Sequence, residues 1–215
     1  MSENQIGLFD AIYTQRAIRS FKSDPVPRED ILKIIEAGTK APSGGNSQPW
    51  AFIVVQDRAK LDQMAVYARN GFQGMWEAAK ARQQPGDPEP FPRLKPMIES
   101  FEQIPCLIIA CLVNPPGKTG GGNGGSIFPA VQNLLLAARG LGLGAALTAG
   151  WAGRNGDDIR KLLSIPENVE PVAYIPLGYP DKERYGKTTR RPVDEVTHWD
   201  GWEGEKANSA TLAHR

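Results

Sequence analysis

Apolar positions along the chain fall into short blocks separated by polar, Gly- and Pro-rich punctuation. Leu8, Phe9 and Ile12 recur at helical spacing within residues 5–14 and predict a short amphipathic helix. Pro25 and Pro27 interrupt the polar stretch that follows, and Pro27 suits the first turn of a second helix. Glu29 and Asp30 stand near the positive end of its dipole, Ile31, Ile34 and Ile35 form its apolar stripe, and Gly38 weakens it near its end. Residues 41–49 read as a turn, and WAFIVV at 50–55 reads as a buried strand. Asp57 caps a helix running to about residue 68, with Leu61, Met64 and Ala65 inward. Phe72, Met75, Trp76 and Ala79 mark a further helical face.

Residues 85–96 hold five prolines, which predict a loop and suggest a lid, kept wet by Asp87, Glu89 and Arg93. CLIIACLV at 106–113 reads as a second buried strand, and residues 117–126 as a flexible segment. Ser126 then caps a helix carrying Ile127, Val131, Leu134, Leu135 and Ala138 and ending at Gly140. Residues 140–150 approach a third apolar strand, Ile159, Leu162 and Leu163 mark a short helix, and 172–180 reads as a fourth strand and a turn. Strands separated by helices place the chain in the α/β or α+β class.

Length adds little, since 215 residues suit one large domain or two small ones. Charge adds more. Lys and Arg number 25 against 24 Asp and Glu, a net +1 without the basic footprint of a nucleic-acid binder. The longest apolar run, 104–113, is too short to span a bilayer, so neither nucleic acid nor membrane is expected as a partner. The opening stretch carries an early acid and no apolar signal-like core, so a cytoplasmic protein is expected. Two cysteines, Cys106 and Cys111, exclude a disulfide-rich scaffold. Their odd separation on a strand puts them on opposite faces, as buried structural thiols rather than metal ligands.

Two glycine motifs invite phosphate-site readings and fail. GKT at 117–119 would need a glycine at position 112, which is Leu112. GLGLG at 140–144 follows a helix rather than a strand, and the third fingerprint glycine would fall on Leu147. With only His198 and His214, and with neither H-E-x-x-H nor G-x-S-x-G, zinc peptidase and serine hydrolase readings have no support, and no metal is expected.

Three distant segments share one chemical character. Arg16 and Arg19 stand three apart just after a helix, in Arg16-Ala-Ile-Arg19-Ser20-Phe21. Ala41-Pro42-Ser43-Gly44-Gly45-Asn46-Ser47-Gln48-Pro49-Trp50 offers a hydroxyl, bare backbone N–H groups and two amides. Thr189-Arg190-Arg191-Pro192 adds further cations. Together they supply anion-binding cations and neutral hydrogen bonders without a nucleophile or metal cage, which suits a phosphorylated heteroaromatic cofactor that carries the chemistry itself.

The order and wording of these segments resemble the FMN-dependent nitroreductase family. The likeness continues through Gln132-Asn133-Leu134-Leu135-Leu136-Ala137-Ala138, Leu141-Gly142-Leu143-Gly144, Ile175-Pro176-Leu177-Gly178-Tyr179-Pro180 and Arg190-Arg191-Pro192-Val193-Asp194-Glu195-Val196. It implies an α+β fold, an α-β-α sandwich with a central, mostly antiparallel sheet, in an intertwined homodimer with FMN at the interface. One domain would cover 1–202, with a flap-like insertion at about 70–100 and a frayed tail at 203–215. By the resemblance, Arg16 and Arg190 lie near the phosphate and Arg19 near the pyrimidine edge of the flavin, as the residue that stabilises charge on it. Ala17 and Ser20 join the same cofactor-binding segment. Pro42, Ser43, Gly44 and Asn46 reach the flavin from the partner subunit, and the backbone of Thr148, Ala149 and Gly150 lies by its N5. Phe72, Trp76 and Phe91 are candidates for the acceptor pocket, and 85–96 for a mobile flap over it. The implied reaction is ping-pong, with NAD(P)H as reductant and a small nitroaromatic or quinone as acceptor. Alkene reduction or dehalogenation on the same fold, and flavin binding without turnover, are the alternatives.

Overall fold

A computed structural model of the chain describes residues 6–113, 121–182 and 188–203, apart from the side chains of 121–123 and 153–154. The chain divides into two compact units, Met1–Glu183 and Arg184–Arg215. In the second, a short 3₁₀ turn at Val193–Val196 is closed by the Thr197 hydroxyl, which donates to the Val193 carbonyl at 2.8 Å. The rings of His198 and Trp202 stack there with centroids 4.4 Å apart.

The first unit holds α1 (Leu8–Thr14), α2 (Arg28–Thr39), β1 (Trp50–Val55), α3 (Arg58–Lys80), α4 (Lys95–Glu99), β2 (Cys106–Val113), α5 (Gly121–Gly140), β3 (Gly144–Ala145), α6 (Gly156–Leu163) and β4 (Val169–Gly178). The strands form one antiparallel sheet in the order β1-β2-β4-β3. β2, an unbroken apolar run, is buried on both faces, so the sheet needs a layer on each side. On one face Cys106, Ile108, Ala110 and Ile175 pack with Ile31 and Ile34 of α2 and Ile127, Val131 and Leu134 of α5. A Cβ on Gly38 would lie 3.0 Å from Leu134 Cγ, so the absence of a side chain there lets α2 and α5 approach. On the other face the Trp151 ring packs 4.8 Å from Tyr174 of β4 and 5.6 Å from Phe101. Trp151 belongs to a 3₁₀ segment, Gly150–Asn155, which α3 crosses so closely that a Cβ on Gly71 would fall 1.7 Å from the Trp151 carbonyl oxygen. The result is the α+β, α-β-α sandwich with an antiparallel sheet that the resemblance implies. Among the described residues no helix is long and apolar enough to cross a membrane.

β1 and β2 coincide with the predicted strands, while four features differ. First, the helix capped by Asp57, whose carboxylate accepts from Lys60 N at 2.9 Å, does not stop near residue 68. It continues to Lys80, because Gly71 and Gly74 are packing positions inside it rather than stops. Second, α5 begins at Gly121 rather than at Ser126. Ser126 is buried in the helix, and its Oγ accepts from the Gly44 N–H at 3.4 Å, so its polar atom serves the 41–49 turn instead of a cap. Residues 117–120 of the expected flexible segment lie outside the described residues. Third, the stripe of α1 does not face the core. Only Ala11 is buried, while Leu8, Phe9 and Tyr13 are 68%, 66% and 69% exposed.

Fourth, the third strand is two residues long. The register pairs Gly144 with Gly178, Ala145 with Leu177 and, as an isolated bridge, Thr148 with Tyr174, so Ala146 faces Pro176. Tyr174 and Thr148 exchange backbone hydrogen bonds of 2.7 and 2.9 Å, and the donor two residues on would be the N–H that proline lacks. Pairing is therefore interrupted between Ala145 and Thr148.

Burial sets the alkaline limit of this core. It pushes the Cys106 thiol from 9.0 to about 12 and Cys111 from 9.0 to about 11, and the Tyr174 phenol from 10.0 to about 12. Each group ionises first in the unfolded chain, so its contribution is whole below about pH 9 and is lost as pH rises toward 11–12. Denaturant titrations on both sides of about pH 9 should show stability falling through that window. Constant or rising stability would contradict the burial of these groups.

Candidate functional site

The segment after α1 is pinned by its apolar residues. Ile18 N donates to the Ala145 carbonyl at 3.0 Å, Ala17 bridges Ala145, and Phe21 bridges Pro180. Ile18 and Phe21 are buried, which fixes Arg19 and Ser20 between them; the Ser20 carbonyl accepts from Asp181 N at 3.3 Å. Arg19 is half-buried on the wall of a cavity of about 360 Å³, lined otherwise by residues 91–94 and 147–151. Its Nε is buried without a hydrogen-bond partner among the described residues. Burial, and then the charge of Arg93, hold its pKa below the usual guanidinium value. Among the described residues no Asp or Glu lines the cavity. A cation withdrawn from water with no counter-charge is costly, and an anionic or electron-rich guest would offset that cost.

The opposite wall follows from the interrupted ladder. The Thr148 hydroxyl donates to the Tyr174 carbonyl at 2.7 Å and accepts from Trp151 Nε1 at 3.0 Å, entirely within the core. Asn155 Nδ2 holds the far end of the segment by donating to the Tyr67 carbonyl at 2.8 Å. With the Thr148 side chain so engaged, the segment offers the cavity the exposed backbone of Ala149 and Gly150.

The proline-rich loop forms the rim. Glu89 accepts from Lys80 Nζ at 2.8 Å and from Trp76 Nε1 at 3.0 Å, which ties the loop to the end of α3. Phe91 lines the cavity at φ 52°, in the left-handed region that a bulky residue rarely adopts. Its ring meets Phe72 edge-on at 6.3 Å. Of the three aromatic candidates, then, Phe91 faces the cavity, Phe72 is buried against it, and Trp76 serves as the anchor of Glu89. The exposed stretch of the expected 70–100 insertion is narrower than its limits, because Gly71, Phe72 and Gly74 at one end and Met97 and Ile98 at the other are buried.

The 41–49 turn is held open in an unusual shape. Asn46 and Gln48 have φ of 54° and 47°, Gln48 N donates to Ser43 Oγ at 3.0 Å, and Gln48 Nε2 donates to Asn46 Oδ1 at 3.2 Å. Pro42, Gly44 and Asn46 are exposed, and none of the turn lines the cavity. The turn leads into β1 at one sheet edge, whereas 147–150 leave β3 at the other, three strand spacings or about 14 Å away. The structure thus unites Arg19 with Thr148, Ala149, Gly150 and Phe91, and keeps Pro42, Ser43, Gly44 and Asn46 apart from them. Arg16 is half-buried, and its Nε donates to the Thr14 carbonyl at 3.4 Å. In the second unit Arg190 and Arg191 are exposed, and Arg190 Nη1 donates to the Thr189 carbonyl at 2.9 Å. Sequence reasoning missed Arg93, Leu147 and Trp151 as lining residues. For Arg93 the one signal was a cation inside the proline-rich loop.

A family model described as the nitroreductase family matches residues 12–179. The chain belongs to the nitroreductase family. Among its relatives, this nitroreductase-family chain is 33% identical over 178 residues to a "Putative NADH dehydrogenase/NAD(P)H nitroreductase" of Methanothermobacter thermautotrophicus, covering 82% of this chain and 79% of that protein. It is 27% identical over 175 residues to an iodotyrosine deiodinase of Thermotoga neapolitana, covering 81% and 89%. A solved structure from Desulfovibrio desulfuricans, in complex with FMN, aligns with a TM-score of 0.68 at 25% identity, covering 90% of this chain and 96% of that one.

Thr148→Val keeps the shape of the side chain and removes its hydroxyl. It should destabilise the fold by about 1–3 kcal/mol, because the Trp151 N–H would be left buried without an acceptor. Chemical denaturation of the variant measures the loss, and an unchanged midpoint would show that the hydroxyl does not hold this wall.

Proposed function

We propose that the chain is an FMN-dependent oxidoreductase that uses NAD(P)H to reduce nitroaromatic or quinone-type acceptors. Membership of the nitroreductase family and the FMN of the solved relative support the cofactor. The observation that carries the reading is the buried Nε of Arg19, which has no partner and no acid beside it on the cavity wall among the described residues. That donor fits the electron-rich pyrimidine edge of a flavin, and a fixed cation there stabilises negative charge gained on reduction more effectively than one in bulk water. Bound FMN would supply hydride acceptance from NAD(P)H and electron delivery to the acceptor. The chain's own residues bind and position: Arg19 with Ala17 and Ser20 on one side, the backbone of Thr148, Ala149 and Gly150 on the other, Arg16 and Arg190 for the phosphate. Phe91 would lie over the open side as part of a flap, with Phe72 and Trp76 supporting it.

The distance between the 41–49 turn and the cavity supports a shared site. A second copy of the chain would bring Pro42, Ser43, Gly44 and Asn46 to the cavity of the first, and would cover the exposed apolar face of α1. Similarity to an iodotyrosine deiodinase favours reductive dehalogenation as a second reading of the same site.

The test is anaerobic addition of NADH or NADPH to the FMN-loaded protein. Rapid bleaching of the flavin, restored by a nitroaromatic, is the expected result; restoration by an iodophenol alone would favour dehalogenation, and no bleaching would leave a flavin binder without turnover. Arg19→Ala should slow the bleaching by the equivalent of roughly 2.7–4 kcal/mol of barrier while weakening FMN affinity less. Stopped-flow rates equal to those of the parent would remove Arg19 from this role.

Mixed dimers test the shared site. Co-expression of an Arg19→Ala chain with an Asn46→Ala chain should give heterodimers in which one of two sites carries both native residues. Their activity should exceed that of either variant alone. Sedimentation as a tight monomer with FMN bound would refute the arrangement.

A further inference from the structure

We propose that Arg93 makes the site selective for acceptors that carry an acidic group, an aromatic carboxylate being the class that fits. The inference rests on the oxidoreductase reading above and specifies its substrate. Arg93 and Arg19 line the same cavity and repel one another there. Neither makes a hydrogen bond or ion pair with a described residue. An arginine at the surface of a loop ordinarily finds a neighbouring carboxylate, and this loop contains two. Glu89 is committed to Lys80 and Trp76, and Asp87 accepts from Gln84 N at 2.7 Å. With Lys95 paired to Glu99 at 3.9 Å, those contacts leave Arg93 as the uncommitted charge of the loop, on the cavity rim.

The walls define the rest of the guest. Phe91, Leu94, Leu147 and Trp151 give the cavity apolar surface suited to an aromatic ring, and the left-handed backbone of Phe91 keeps its ring over the cavity beside Arg93. Arg19 lies deeper and answers the flavin. The exposed Arg93 remains free for a second anion, and a guanidinium fork matches a carboxylate in two parallel hydrogen bonds. Its position at the rim also draws anions toward the cavity, an effect that salt weakens.

The experiment compares 4-nitrobenzoate with 4-nitrobenzyl alcohol on the FMN-loaded parent, Arg93→Gln and Arg93→Lys, and follows binding of benzoate by the change in flavin absorbance. In Arg93→Gln, KM for nitrobenzoate and Kd for benzoate should both rise roughly tenfold. The alcohol, the limiting kcat and the steps with NADH and NADPH should stay near the parent values, and Arg93→Lys should keep most of the preference. Raising the salt should narrow the gap between the two acceptors in the parent and not in Arg93→Gln. Equal losses for the two acceptors, no change for either, or a loss confined to the NADPH step would overturn the proposal, the last because the cation would then serve the cofactor's extra phosphate. If the parent reduces neither acceptor, the oxidoreductase reading fails, and the benzoate titration still decides whether Arg93 binds a carboxylate.

Discussion

Beside the cavity, Pro176 has no N–H to offer β3, and the pairing of β3 with β4 lapses between Ala145 and Thr148. A residue with a donor at that position would continue the ladder through Ala146 toward the Thr148–Tyr174 bridge. Instead the chain parts from β4 after Ala145 and rejoins it at Thr148. Two backbone bonds, the Thr148 hydroxyl and the Trp151 indole then fix the return. Gly71 permits α3 to close over the same point, since any side chain there would collide with the Trp151 backbone. A missing hydrogen bond interrupts the edge strand, and a satisfied buried network fixes its return, which is how a site can present bare backbone without collapsing.

Charge complements that rigidity. Among the described residues the cavity wall combines apolar surface with two arginines and no acid, which gives it a positive field. Arg19 is held by its neighbours in sequence, Ile18 and Phe21, rather than by any partner for its own guanidinium. Its position is therefore set by the core, and its charge is left for whatever occupies the cavity. The rim is organised differently: Glu89 spends its charge on α3, leaving the loop tethered at one point and cationic at another.

The strands were legible because WAFIVV and CLIIACLV are continuous apolar runs that only a doubly covered sheet accommodates. The stripe of α2 and the Asp57 cap of α3 were legible for the same local reasons. Gly71 is a close contact whose meaning lies in Trp151, eighty residues away, and no local pattern reveals that. The short β3 was hidden likewise, since the proline that limits it sits on a different strand. At the site, Arg19 and 148–150 were found through wording shared with a family, and the structure brings them to one cavity. Arg93 shares no such wording, and only the fold of the loop shows that it faces Arg19. The apolar face of α1 predicted burial that the described residues do not provide, because periodicity reports that a face is apolar and not what covers it.

The two cysteines are shielded from redox chemistry. They sit on opposite faces of the central strand, fully buried, with thiols that stay protonated far above neutral pH. Thiolate is the species that peroxides attack and that exchanges with disulfides, and these side chains present almost none of it. They also point away from one another, so they cannot close a bridge within the chain. A protein of this kind has no side-chain fuse: oxidants generated at its own site would find methionines and aromatics before a reactive sulfur, and its folded state would not report the redox poise of its surroundings.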